Sequence, residues 1–150
     1  VSASFHYRVG FDIINGIALR TEGMNNRNNQ SKATLSRWRI QGQDFEGMLP
    51  RAYMNHPANN LGSDRYVEKG DYLRLNNLKL AYRLSQRLCN KFGVRKADVA
   101  ISARKLFTFT NYTGQDPEVG QDASNPFWIG VDNARTPPPK IYTISLAIGI

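Results

Sequence analysis

The sequence predicts an all-β chain of antiparallel strands, of the kind that form part of a transmembrane β-barrel, and three observations carry that expectation. In the final segment Tyr142, Ile144, Leu146, Ile148 and Ile150 alternate with Ile141, Thr143, Ser145, Ala147 and Gly149. A bare apolar edge strand is a liability in water. A closed barrel has no edge, and a barrel in lipid wants large apolar residues on one face and small or polar ones on the other. The second observation is the spacing of the connections, short in one place and long in two. The third is that no apolar run is long enough for a membrane helix, which excludes a helical membrane protein but not a barrel, whose strands need only about 9 to 11 residues.

Four strands are expected. Residues 2–11 set Ala3, Phe5, Tyr7, Val9 and Phe11 against Ser2, Ser4, His6, Arg8 and Gly10, a polar side suited to water or to a lumen. Residues 71–84 place Leu73 and Leu75 on one parity and Leu78, Leu80, Tyr82 and Leu84 on the other. That change at Asn76-Asn77 predicts a bulge, or two strand ends in different surroundings. Residues 95–106 set Ala97, Val99, Ile101 and Ala103 against Asp98, Ala100, Ser102 and Arg104, and the terminal segment is the fourth strand. Between the second and third lies a short turn containing Gly93. Residues 12–70 and 107–139 are long, rich in Asn, Gly and Pro, and read as loops. Brief periplasmic turns and extended outward loops are the asymmetry of an outer-membrane barrel, and a terminal strand ending on the periplasmic side puts both long loops outside.

Bulk properties exclude less. The 150 residues are 41% hydrophobic and carry a net charge of +8, with Lys and Arg scattered among the strands and not along one element, so nucleic acid is not expected as a partner. Cys89 stands alone, which excludes an internal disulfide. There is no initiating Met and no signal-peptide pattern, and residue 1 falls beside a strand, so the chain reads as a piece of something longer. Single-chain transmembrane barrels begin at about eight strands, so further strands are expected elsewhere. The residues alone leave an alternative open, a soluble all-β binding domain of a cell-surface protein.

Residues 63–84, SDRYVEKGDYLRLNNLKLAYRL, then residues 100–120, AISARKLFTFTNYTGQDPEVG, then a Pro-rich approach to IYTISLAIGI, resemble the C-terminal end of a SusC/RagA-type TonB-dependent outer-membrane transporter. Arg37-Trp38 with Gly42, and Pro50-Arg51, are similar to the RW-x-x-PG and PR marks of that family's preceding outward loop. Two positions depart from the pattern. Lys105 stands where Asn usually precedes Leu-Phe, and Ile150 replaces the usual terminal aromatic.

The resemblance implies the last four strands of a 22-stranded barrel, residues 1–150 being its C-terminal portion, with the plug and the TonB-contact segment absent from this chain. It implies an energy-dependent importer of glycans or peptides in the cell outer membrane. Its partners would be a SusD-like surface lipoprotein, outer-membrane lipid and, through the missing N-terminal part, the TonB-ExbB-ExbD complex.

No enzymatic centre is expected. His6 and His56 have no ligand-spaced companions, and Cys89 has no base pattern beside it. Asp116, Glu118, Asp122 and Asp132 concentrate acid in the last loop. Loop solvation and local caps are the expectation for them, with calcium in the 116–132 loop as the rival and no other cofactor. Trp38, Tyr112, Phe127 and Trp128 are the candidates for ligand or lid contact, while Phe107 and Phe109 suit a membrane-interface girdle. Arg20, Arg27, Arg37, Arg39 and Arg51 would favour anionic groups without choosing peptide over glycan. Tyr142, Ile144, Leu146, Ile148 and Ile150 are assigned to the lipid face and to strand assembly.

Overall fold

A computed structural model describes residues 1–40, 42, 49–118 and 128–149. It divides into two units, residues 1–9, 71–111 and 138–150 in one, and residues 10–70 and 112–137 in the other.

The first unit is a four-stranded sheet in which every pair is antiparallel: β1 (Ser2–Arg8), β4 (Tyr72–Arg83), β5 (Lys96–Thr110) and β7 (Ile141–Gly149), in the spatial order β1-β4-β5-β7. These are the four expected strands. Cross-strand partners share a face, so the register decides what each face presents. The rows Leu78–Ala103–Tyr142, Leu80–Ile101–Ile144 and Tyr82–Val99–Leu146 make one face apolar. The rows Lys79–Ser102–Thr143, Ala81–Ala100–Ser145 and Arg83–Asp98–Ala147 make the other small and polar.

The predicted parity change is a bulge. Leu75 pairs with Phe5 and Phe107, and Asn77 pairs with Ser4 and Arg104, so Asn76 is an extra residue relative to β1. On β5 the residues Lys105 and Leu106 fall in the same interval, and Lys105 takes a positive φ of 55°. One inserted residue turns Leu73 and Leu75 onto the face of Leu78 and Leu80, and the apolar face stays continuous. Above the bulge it carries the rows Phe5–Leu75–Phe107 and Tyr7–Leu73–Phe109.

Three features depart from the expected organisation. The strand expected over 95–106 runs on to Thr110, because Phe107 to Thr110 keep pairing with Leu75 to Tyr72. The short turn contains a helix, α2 (Gln86–Lys91), closed by Gly93 at φ 70°. Its Cys89 is fully buried. The long connections contain regular structure, which forms the second unit.

That unit is built on a three-stranded sheet of order β3-β2-β6, from β2 (Asp12–Asn15), β3 (Val67–Lys69) and β6 (Val131–Asp132). β2 runs antiparallel to β3 and parallel to β6, with Ile14 opposite Val131 and Asn15 opposite Asp132. Helix α1 (Gly16–Glu22) follows β2 directly, and Asn15 caps it by accepting from the Ala18 N–H at 2.9 Å. Ile13, Met24, Tyr66 and Tyr112 are buried here. Among the described residues no helix is long and apolar enough to cross a membrane, which says nothing of strands.

Candidate functional site

The second unit joins the two long connections through polar groups, of which Asn15 and Asp132 are buried. Asn15, buried by its place on the central strand, donates from Nδ2 to Glu68 Oε1 at 2.8 Å and to Thr113 Oγ1 at 3.2 Å. Thr113 donates its backbone N–H to Glu68 Oε2 at 2.8 Å and its hydroxyl to Glu68 Oε1 at 2.7 Å. Burial alone would raise the Glu68 carboxyl, but the bonds from Thr113 and Asn15 prevail and hold it below its ordinary value. Glu22 goes the other way. Burial raises it, and the opposing pull of Arg65 and Ser31 does not cancel that.

Beside this cluster the Tyr112 hydroxyl donates to Asp132 Oδ2 at 2.7 Å, and Asp132 Oδ1 accepts from the Ala134 N–H at 3.0 Å. Asp132 is 1% exposed. Burial first, then the neighbouring carboxylate, push the Tyr112 phenol well above its usual range, so the group stays a donor.

Backbone space explains the glycines of this region. A Cβ at Gly114 would strike the Tyr112 ring, which fixes glycine two residues after the tyrosine. At Gly70 a Cβ would run into the Phe11 ring and would lie 2.8 Å from Ile13 Cγ1, and at Gly16 it would lie 2.6 Å from the Asp132 carbonyl oxygen. Asp116 Oδ1 accepts from the Glu118 N–H at 2.9 Å, an Asx turn that holds the Asp-Pro-Glu segment with Pro117 buried.

The expected contact residues therefore separate. Trp128 is 48% exposed and Ile129 57% exposed, so this pair presents apolar surface. Trp38 is half-buried and donates its backbone N–H to the Leu49 carbonyl, beside an isolated parallel bridge between Arg37 and Leu49. Tyr112 is enclosed at 5% exposure, with its hydroxyl committed to Asp132; its ring packs the unit and offers no open face for stacking. Phe127, Asp122 and Ile150 lie outside the described residues. Asp116 and Asp132 cap backbone N–H groups, and Asp132 is buried where a solvated acid was expected. Among the described residues no group of three or more His, Cys, Asp or Glu is placed to hold a metal.

On the sheet, Tyr142, Ile144, Leu146 and Ile148 share one face of β7 at 68, 78, 64 and 55% exposure. Phe107 and Phe109 are 57 and 62% exposed on the same face of β5, and the Lys140 ammonium lies 5.6 Å from the Phe107 ring centroid. On the polar face Arg83 pairs with Asp98, Nε to Oδ1 at 2.7 Å. The residues that spacing had not marked are Asn15, Glu68 and Thr113. Asn15 directly before a helix was a readable cap signal, whereas the Glu68–Thr113 contact left no local trace.

A sheet with one apolar face and one small, polar face, accompanied by a folded unit built from its long connections, fits the wall-and-loop pattern of a transmembrane β-barrel. TonB-dependent receptor P3 of Formosa agariphila is 34% identical over 88 residues, 56% of this chain and 9% of that protein. TonB-dependent receptor P39 of the same organism is 33% identical over 86 residues, 55% of this chain and 8% of that protein. A solved structure of the RagAB peptide transporter superposes with a TM-score of 0.77 at 29% identity, covering 97% of this chain and 15% of that one. The RagAB peptide importer in its open-open state gives 0.70 at 28% identity, with 99% of this chain and 15% of that one covered. No protein-family model matches. The chain thus spans 9% or less of these two curated relatives' length. In sequence and backbone alike it is similar to a portion of a SusC/RagA-like TonB-dependent transporter.

Proposed function

We propose that the chain forms the C-terminal wall of a 22-stranded barrel in an energy-dependent outer-membrane nutrient importer. The observation that carries this reading is the continuous apolar face that runs from Phe5 and Tyr7 through Leu80 and Ile101 to Ile144 and Ile148, with Ser, Thr, Ala and charged residues behind it. Lipid covers the apolar face, and the Phe107 and Phe109 end lies at the outer interface. The polar face lines the translocation path. The unit built from residues 10–70 and 112–137 stands at the cell surface, where Trp128 meets a SusD-like lipoprotein. A plug and a TonB-contact segment elsewhere in the polypeptide would couple this wall to the TonB-ExbB-ExbD complex. Similarity to a peptide transporter favours peptide over glycan as cargo.

Aspartate substitutions on opposite faces of β7 test the reading. Ile148→Asp puts a charge into hydrocarbon at a depth-dependent cost, smaller than the roughly 2 to 4 kcal/mol of an Arg or Lys at the midplane of a barrel wall. Ala147→Asp puts it on the wet face. In outer-membrane fractions, heat-modifiable electrophoresis should show loss of the folded band for the first and retention for the second. Equal loss, or a greater loss at Ala147, would count against the assigned faces, and recovery of the protein in soluble form without a heat-modifiable band would favour the soluble all-β binding domain, in which the same isoleucine packs a dry core.

A further inference from the structure

The bulge that keeps the apolar face continuous opens a cleft of about 320 Å³ in the sheet unit, lined by Asn76, Asn77, Arg104 and Lys105 and walled by Pro138 and Pro139. Three properties of this cleft point the same way. Its lining holds two cations and two amides and no carboxylate. Among the described residues the side chains of Arg104 and Lys105 have no ion-pair or hydrogen-bond partner, in contrast to Arg83, which is held by Asp98 on the same sheet. Lys105 also occupies a left-handed backbone conformation, φ 55°, which a lysine adopts only under strain and which Asn or Gly would adopt more easily. A strained cation beside a second cation is an expensive arrangement for a wall with a merely structural task.

We infer that the bulge cleft is a carboxylate-binding subsite. The guanidinium of Arg104 and the ammonium of Lys105 supply charge-assisted hydrogen bonds, and the amides of Asn76 and Asn77 supply neutral donors that orient the group. Asn77 and Arg104 are register partners in the polar row that includes Ile141, so a ligand reaches them from the polar face. The inference rests on the proposal that this face lines the translocation path, and it narrows the cargo to chains that carry carboxylates, whether acidic peptides or sugar acids.

The test uses the protein assembled in outer membranes and purified in detergent, with two probe pairs: triglutamate against triglutamine, and trigalacturonate against trigalactose. Wild-type protein should bind the acidic member of one pair about tenfold tighter than the neutral one, with a preference that weakens as salt rises. The pair that responds identifies the source of the carboxylate. Lys105→Asn, which relieves the backbone strain, should assemble at least as well as wild type and lower the preference several-fold, and adding Arg104→Gln should abolish it. A wild-type protein with no acidic preference, or a preference untouched by Lys105→Asn, overturns the subsite. A folded heat-modifiable band without acidic preference removes the subsite and leaves the barrel proposal intact. Acidic preference without that band does the opposite.

Discussion

Tyr112 shows how much one side chain carries in this molecule. Its ring lies where a Cβ of Gly114 would be, and its hydroxyl satisfies a carboxylate that is 1% exposed. Tyr112→Phe keeps the ring and leaves Asp132 Oδ2 without that donor, at an expected local cost of about 1 to 3 kcal/mol. Amide exchange at Ile14 and Ala134 should speed up while exchange in β5 stays unchanged, and unaltered protection at both residues would count against this role. Glu68 adds a pH dependence. Its folded carboxyl lies below the ordinary value of 4.5, so above that value its stabilisation is fully present, and it is lost as pH falls through the folded value. Glu22, raised above 4.5, works in the opposite sense and gives up its contribution as pH rises through its own folded value. Protection of the Thr113 N–H should therefore fall on acidification below about 4.5 in wild type and be weaker but flat in Glu68→Gln. A wild-type profile that stays flat would remove Glu68 as the sensor. The Tyr-x-Gly spacing was visible in the sequence as a resemblance, but its cause was not, since the partner Asp132 is distant in the chain. The link between Glu68 and Thr113 spans 45 residues and has no periodic signature at all.

At the scale of elements, period-two alternation was sufficient to locate β1, β4, β5 and β7, because each strand lies between unlike surroundings that sort its side chains. The parity slip at Asn76-Asn77 was legible for the same reason, and the structure resolves it in favour of a bulge. Deleting Asn76 puts Leu75 directly before Asn77 and restores strict alternation with Leu73 and Leu75 still on the apolar face, so the folded electrophoretic form should persist, as it should in Asn76→Gly. Loss of that form on deletion would count against Asn76 as a mere insertion in an otherwise alternating strand. The strands β2, β3 and β6 were not legible. With four, three and two residues they are too short to show a period, and they exist through pairing with distant segments. Helix α2 was hidden by its brevity, six residues with no acid in its first turn and no side-chain cap.

At the scale of the whole molecule, the exposed Trp128 and Ile129 belong to the same unit as the enclosed Tyr112, so large aromatics of one long connection have opposite fates. Trp128→Ala should weaken co-purification with the proposed lipoprotein partner while leaving assembly of the sheet largely intact, because an exposed ring beside a second exposed apolar residue contributes most where a partner covers it. Unchanged association with normal assembly would remove that contact. Burial was the part of the site that the sequence could not rank: Trp38, Tyr112 and Trp128 look alike as aromatics in polar text, and only the fold separates half-covered, enclosed and open. The parallel pairing of Ile14 with Val131 has a kinetic consequence. The two strands are joined through the whole of β4 and β5, so the loop-closure entropy of this contact is large unless those strands are already paired. The hairpin of β4 and β5 should accordingly form first and act as a tether, with the surface unit ordering late. During folding a protease would find cleavable chain at residues 12–15 well after the sheet had become resistant.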